Sequence, residues 1–235
     1  MKRFTSETES EERIISAFNS SPHVRHAQQQ RSKRTLARIV AAAEQLLKAK
    51  GVAGFSMAAV AELADVPVGT LYRRFKSKLD LLEAIKHELT DRIVEAVEDG
   101  VVSFRKTELT GLISDFVDTV AGVYSKDEDL YRAVFDIQAL QPGVDRIGWE
   151  GRQRIFEIYQ DAISPLLVDV PEDRKSLAIA VSYSILCNGL VGRARGSDEM
   201  LTSMKWTDVC HEFGAAAATY LTSAAILSSS RRQSS

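Results

Sequence analysis

Apolar residues recur at helical spacing along most of the chain, and the first clear stripe begins just after Arg34. Its members fall at i, i+3, i+4, i+7, i+10 and i+11, which places them on one face of a helix. They are Leu36, Ile39, Val40, Ala43, Leu46 and Leu47. Gly51 follows Lys48 and Lys50, and a glycine after basic residues is typical of a helix C-terminus. The pattern predicts an amphipathic helix that starts at Arg34 and stops at Gly51.

Two short helices are predicted next, joined by a tight connection. Ser56 is a good N-cap for a helix from Met57 to Ala64. Pro67 has a fixed φ and no N–H, so it suits the first turn of a second helix, predicted from Val68 to Phe75. Two short helices joined by about three residues are typical of a helix-turn-helix, whose second helix enters the major groove of DNA.

The remaining pattern predicts helices only. Ser77 with Asp80 resembles a capping box, and the apolar stripe after it predicts a long helix towards residue 105. Further helices are predicted over residues 109–125, 127–140, 146–167 (interrupted near Pro165), 172–195 and 204–227. Neither an alternating β pattern nor a glycine-rich phosphate loop occurs between them. The predicted fold class is all-α, with an N-terminal three-helix helix-turn-helix domain followed by a larger helical domain.

Charge separates the helix-turn-helix region from the rest of the chain. Residues 31–78 carry a net charge of +7, from ten Lys or Arg and three acidic residues, although the whole chain carries −2. The remainder therefore carries −9. A basic segment on an acidic body directs one end of the protein towards polyanions, whereas a merely solvated surface would mix the two signs. The distribution favours nucleic acid as a partner.

The second short helix supplies most of the candidate DNA contacts. Its apolar tip suits a thymine methyl, its glycine allows the backbone to approach DNA closely, and its hydroxyls suit phosphates. For Tyr72 the alternative is that it covers the edge of a small core. Free N–H groups at the start of the long helix, with Lys78 beside them, can bind a phosphate. The predicted DNA-binding residues are Arg34, Ser56, Val68, Gly69, Thr70, Tyr72, Arg73, Arg74, Lys76 and Lys78.

Residues 34–82 resemble the DNA-binding region of TetR-type transcriptional regulators, above all in VPVGTLYRRFKSKLDLL. Eleven positions match the family pattern: Val66, Gly69, Thr70, Leu71, Tyr72, Phe75, Ser77, Lys78, Asp80, Leu81 and Leu82. The chain departs from the pattern at Pro67, which replaces a small hydroxyl residue and so loses an N-cap. It also departs at Asp65, where a glycine or alanine is common. The resemblance covers about a fifth of the chain.

The resemblance implies a homodimeric repressor that is released from double-stranded operator DNA by a small-molecule effector. It implies a dimer interface on the last two helices, rich in small residues, although packing within one chain is an alternative for those residues. The candidate ligand-binding residues are Phe104, Phe116, Tyr131, Phe135, Gln138, Trp149, Arg152, Tyr159, Tyr183 and Asn188. A transcriptional activator and a helical ligand-binding protein on the same scaffold remain alternatives.

Other chemistry is not expected. No His, Cys and carboxylate cluster has metal-ligand spacing, and no nucleophile-elbow motif is present, so neither a metal, a cofactor nor an enzyme is predicted. Two cysteines, Cys187 and Cys210, are expected to be buried thiols. No apolar run approaches the length of a membrane span and no secretory signal is visible, so a cytoplasmic protein is predicted. The predicted domains are a flexible arm (1–30), the DNA-binding domain (31–80), the effector-binding and dimerisation domain (81–228) and a polar tail (229–235).

Overall fold

The computed structural model describes residues 22–104, 108–138, 145–168, 170–197 and 199–232. Within these ranges it contains ten α-helices, one 3-10 helix at Ser164–Leu166 and no strand. The helices are α1 (Pro22–Lys50), α2 (Met57–Leu63), α3 (Val68–Tyr72), α4 (Lys78–Phe104), α5 (Leu109–Lys126), α6 (Glu128–Gln138), α7 (Asp145–Ile163), α8 (Glu172–Arg195), α9 (Glu199–Ser203) and α10 (Trp206–Arg232). The all-α prediction is confirmed.

Several helix ends differ from the predicted ones. The first helix begins at Pro22, twelve residues before Arg34, so part of the predicted arm is helical. Periodicity could not find this segment, because residues 29–34 are polar and exposed and show no apolar stripe. The third helix ends at Tyr72, not Phe75, and the short α9 was not predicted. Residues 1–21 of the arm lie outside the described residues, and the domain boundaries stay predictions.

Helices α1 to α3 form the head of the protein around a small core of their own. Ile39 and Leu47 from α1, Val60 from α2 and Leu71 from α3 are all buried there. Helix α4 then leaves the head and continues into the body, and its apolar stripe is buried along its length, as at Ile85. The body packs α5, α7, α8 and α10 around this helix and one another.

Small residues set how closely the body helices approach. A Cβ placed on Gly151 of α7 would lie 2.1 Å from the Thr90 methyl of α4. A Cβ on Gly189 of α8 would lie 2.5 Å from the ring of Phe213 of α10. Because neither separation is sterically possible, a larger residue at either position would force Thr90 or the ring of Phe213 to move. Packing within one chain therefore explains Gly189, one of the small residues assigned to a dimer interface.

Two ion pairs hold the head on the body. Lys48, near the end of α1, pairs with Asp127, which lies between α5 and α6. Arg92 of α4 donates a 2.7 Å hydrogen bond to Glu44 of α1. These contacts join α1 to elements of the body that come much later in the chain, and they fix where the head sits.

Among the described helices one stretch, Arg174–Arg195 of α8, is long and apolar enough to cross a membrane, contrary to the expectation that no such run exists. Half of its apolar stretch is buried inside the domain. A core helix of a helical protein passes the same test of length and composition, because its contact faces must also be apolar.

Candidate nucleic-acid interface and adjoining cavity

The connection between α2 and α3 is held by Arg38 of α1. Its guanidinium donates to the carbonyl of Ala64 at 3.0 Å and to the carboxylate of Asp65 at 3.1 Å. Asp65 has a φ of +50°, a left-handed conformation that glycine adopts without steric cost and aspartate tolerates better than most residues. Pro67 precedes α3 without a side-chain cap, as expected from its lack of a hydroxyl. Sequence reasoning did not identify Arg38.

Helix α3 is fixed on one side and exposed on the other. Leu71 is fully buried, whereas Val68 is 46% exposed and Tyr72 is 51% exposed. The exposure of Tyr72 argues against the alternative that it covers a core edge. A Cβ on Gly69 would meet no atom within 4 Å, so nothing in the protein requires a glycine there. Arg73 is exposed and donates a 3.1 Å hydrogen bond to the hydroxyl of Thr70.

Two of the predicted phosphate-binding cations are already bonded inside the head. Lys78 donates to the carbonyl of Val52 at 2.8 Å, and its ammonium lies 5.7 Å from the centre of the Phe55 ring. Arg74 donates to the hydroxyl of Ser32 on α1 at 2.8 Å. The two residues thus tie neighbouring segments together, and their contact with phosphates stays a prediction.

The remaining predicted DNA-binding side chains are solvent-accessible. Arg34 and Lys76 are exposed. Ser56 is exposed and accepts a 3.2 Å hydrogen bond from the N–H of Ala59, so its own hydroxyl proton stays available to a phosphate. These residues and the outer face of α3 lie on the basic part of the chain, and their contact with DNA stays a prediction.

The start of α4 is capped from within the protein. The hydroxyl of Ser77 donates to the Asp80 carboxylate at 2.5 Å, and the backbone N–H of Asp80 donates back to that hydroxyl at 3.1 Å. The N–H of Lys76 also donates to the Asp80 carboxylate, at 3.0 Å. The hydrogen bond from Ser77 is the largest cause that lowers the pKa of Asp80. A carboxylate therefore already occupies the helix end that was predicted to bind a phosphate.

A cavity of about 340 Å³ lies in the body between α4, α5, α6, α7 and α8. Most of its wall is apolar or aromatic, with a few polar and cationic groups. The lining residues are Lys86, Leu89, Thr90, Ile93, Val120, Tyr124, Tyr131, Val134, Phe135, Gly148, Trp149, Arg152, Ile155, Tyr183, Cys187, Asn188, Leu190, Val191 and Arg195. A few polar groups in an apolar cleft are typical of a small-molecule site.

Six of the predicted ligand-binding residues line this cavity, namely Tyr131, Phe135, Trp149, Arg152, Tyr183 and Asn188. Phe116 and Tyr159 do not line it, because both are packed into the core behind it. Their rings are 4.8 Å apart, and the Tyr159 hydroxyl lies 2.6 Å from that of Ser182. The side chains of Phe104 and Gln138 lie outside the described residues.

Sequence reasoning missed three polar groups of the cavity. Lys86 lies on the apolar face of α4 and is only 4% exposed. A lysine on an apolar helix face was the feature of the sequence that could have identified it. Arg195 ends α8, and its guanidinium lies 5.8 Å from the centre of the Phe135 ring. Cys187 is a free thiol as expected, and burial raises its pKa to about 11. In the part of the chain that the structure describes, no group of three or more His, Cys, Asp or Glu could hold a metal ion.

Comparison with known proteins identifies the head. Residues 39–85 match the family model of bacterial regulatory proteins of the TetR family. Two transcriptional regulators of Pseudomonas putida are similar to the chain: CymR is 30% identical over 127 residues, and TtgR is 37% identical over 70 residues. These matches support a TetR-type transcriptional regulator, with the family model matched over the head alone. The CymR match covers 52% of this chain and 62% of CymR, and the TtgR match covers 28% and 33%. The matched segments thus span less than two thirds of either relative.

Transcriptional regulators of known structure share the fold over most of this chain. A regulator from Mesorhizobium loti aligns with a TM-score of 0.67 at 18% identity, over 82% of this chain and 97% of that chain. The regulator FadR of Bacillus subtilis, solved with stearoyl-CoA, aligns with a TM-score of 0.63 at 14% identity, over 79% and 98%. The TetR-type fold therefore extends well beyond the matched head and includes the body.

Proposed function

We propose that the chain is a cytoplasmic, homodimeric transcriptional repressor that binds double-stranded operator DNA and is released by a small-molecule effector. The outer face of α3 is the observation that carries this proposal. Leu71 anchors the helix in the head, whereas Val68 and Tyr72 are exposed and a Cβ on Gly69 would meet no atom of the described residues within 4 Å. A helix that recognises bases in a DNA groove must be fixed on its inner side and must expose a basic outer face.

The effector part of the proposal is supported by the position of the cavity. Helix α4 begins in the head at Lys78 and lines the cavity at Leu89, Thr90 and Ile93. A ligand that prefers one position of α4 would therefore also favour one position of the head. FadR of Bacillus subtilis, solved with stearoyl-CoA, has the same fold, so such a scaffold can hold a small molecule.

The dimer part is supported by the outer faces of α8 and α10. Leu177 of α8 is an exposed large apolar residue, and Ala215 and Ala216 of α10 are exposed small ones. Since other faces of both helices are buried in the body, each helix carries apolar residues on two of its sides. A helix of that kind is expected to be covered on both sides.

DNA binding is tested by electrophoretic retardation of the promoter fragment of the protein's own gene over a range of salt concentrations. We expect retardation that weakens steeply as salt rises, because cation–phosphate contacts release counterions. Arg73→Gln on the exposed face of α3 should weaken binding, whereas Arg154→Gln in the body should not. Lack of retardation of any genomic fragment at low salt would refute the proposal.

Assembly is tested by light scattering on the purified protein. We expect a dimer for the wild type and a monomer for Ala216→Glu, which places a charge on the outer face of α10. Ala41→Glu, an equally exposed change on α1, should remain dimeric. A reporter gene placed behind the retarded promoter fragment separates repression from activation by the sign of the response.

A further inference from the structure

Positive charge prevails among the charged side chains that line the cavity. Among the described residues that line it, Lys86, Arg152 and Arg195 are cationic and none is acidic. Such an excess stands out because the body as a whole is acidic. An uncharged apolar ligand would form no favourable electrostatic interaction with these cations, and it would have to bind beside the water that hydrates them.

The arginines of the cavity differ from other arginines of the body in their partners. Arg92, Arg132, Arg154 and Arg193 each form an ion pair with a glutamate. Arg152 and Arg195 form none within the described part of the chain. Arg152 donates only to the neutral amide oxygen of Asn188, at 3.4 Å, and Arg195 lies over the ring of Phe135.

Arg152 lies among the exposed residues of the cavity wall, which mark the entrance. The hydroxyl of Tyr183 donates a 2.7 Å hydrogen bond to the backbone carbonyl of Arg152. Its guanidinium is exposed and reaches Asn188 across the cleft between α7 and α8. Trp149, one turn earlier on α7, lines the same entrance and is 62% exposed. An arginine placed in this way can receive a carboxylate through its planar pair of N–H donors.

The deeper wall is apolar and uncharged. Leu89, Tyr124 and Tyr131 are buried there. Burial raises the pKa of Tyr124, Tyr131 and Tyr183 above the ordinary tyrosine value, so these phenols are neutral at pH 7 and do not repel an anion. A volume of about 340 Å³ is near the lower end of the range for ligand sites, which favours a small ligand.

We infer that the cavity takes a small organic carboxylate, with its apolar body against the buried aromatic wall and its carboxylate on Arg152 at the entrance. Arg195 and Lys86 add a positive field on the same wall. This inference rests on the proposed role of the cavity as the effector site. It specifies the chemical class of that effector.

Isothermal titration of the full-length protein with 3-phenylpropionate and 3-phenylpropionamide tests the ligand class. The two probes share one shape and differ in charge. We expect the carboxylate to bind about tenfold more tightly, the size expected for one partly exposed charge-assisted hydrogen-bond pair. Equal affinity for the two probes, or no binding of either at millimolar concentration, would overturn the inference.

Matched variants test the role of Arg152. Arg152→Gln should abolish the preference for the carboxylate, and Arg152→Lys, which keeps the charge, should retain part of it. Arg154→Gln lies two residues along the same helix, outside the cavity, and removes a guanidinium that is paired with Glu98. It should bind both probes like the wild type. An equal loss in Arg152→Gln and Arg154→Gln would contradict a specific contact, and thermal melts of each variant identify any that fail to fold.

Operator release is measured separately, so that the two proposals can fail independently. Carboxylate binding that depends on Arg152 but leaves the retarded DNA complex intact would uphold the ligand class and refute effector release. Release of DNA by the neutral amide, with no change in Arg152→Gln, would uphold effector release and refute the ligand class.

Discussion

Replacing Gly69 by alanine separates the needs of folding from those of DNA binding. The residue lies in the first turn of α3, outside the left-handed region of φ, and a Cβ there would meet no protein atom within 4 Å. Folding alone therefore favours alanine, which restricts the unfolded chain more than glycine does. We expect Gly69→Ala to raise the free energy of unfolding by about 0.5–1 kcal/mol.

The same methyl group would stand on the face that is proposed to meet DNA. If the α3 backbone approaches a phosphate or base edge closely at Gly69, the added Cβ holds the helix away and weakens at least one such contact. A lost hydrogen bond to a charged group costs about 1.5–3 kcal/mol, so operator affinity should fall about 10- to 100-fold. One substitution is thus expected to change stability and binding in opposite directions.

Thermal unfolding and fluorescence anisotropy with a labelled operator fragment measure the two effects on one protein preparation. For a chain of this length the gain should raise Tm by about 1–4 °C. Gly122→Ala is the matched control, because Gly122 also lies in a helix, in α5, with open space at the Cβ position, but far from α3. It should raise Tm and leave affinity unchanged. A stabilised Gly69→Ala protein with wild-type affinity would refute the idea that this glycine serves DNA approach.

Three further expectations concern stability. Lys78→Met removes the shorter of two hydrogen bonds to the Val52 carbonyl, which also accepts from the N–H of Phe55 at 3.3 Å, and should cost about 1 kcal/mol in the free energy of unfolding. The exposed Lys76→Met should stay within about 0.5 kcal/mol, and equal melts would contradict a structural role for Lys78. Asp65→Ala should melt about 2–4 °C below Asp65→Gly, because only glycine adopts the left-handed φ freely, and the reverse order would refute that reading. Burial alone would raise the pKa of Glu128, but hydrogen bonds from Arg193 and from an indole N–H, with nearby positive charges, lower it below 4.5. The stabilisation from Glu128 is therefore full above about pH 4.5 and is lost as the pH falls through the lowered value. Urea titrations of Glu128→Gln should show a weaker fall in stability with pH in that range than the wild type; parallel pH profiles would contradict this.

The elements that were predicted well from the sequence are those marked by residues close together in the chain. Ser56 and the Ser77 capping pair mark helix starts within three residues, and both caps are present. Apolar periodicity found every long helix of the described body to within a few residues, because each buries one stripe. The start of α1 at Pro22 escaped, since residues 29–34 are polar and exposed and show no apolar stripe.

What sequence could not supply is where distant segments meet. The partner of Lys78 is a carbonyl at Val52, 26 residues away, and no local pattern distinguishes that use of a lysine from a phosphate contact. The cavity could not be predicted for the same reason. Five helices form its wall, and the positions at which these helices cross decide which aromatic residues face it. Phe116 and Tyr159 share the helical spacing of the residues that line the cavity, but they lie behind the wall.

Two turns of α4 connect the cavity with the head. Leu89 and Ile93 face the cavity, and Arg92 between them reaches Glu44 of α1 on the other side. Because a helix of this kind is stiff over a few residues, a ligand that displaces Leu89 or Ile93 must also move Arg92 or strain its bond to Glu44. The ion pair is partly exposed and contributes little to stability by itself. Its role in a regulator would be to couple two helices. It makes the orientation of α1 relative to α4 depend on the position of α4, which the ligand would contact.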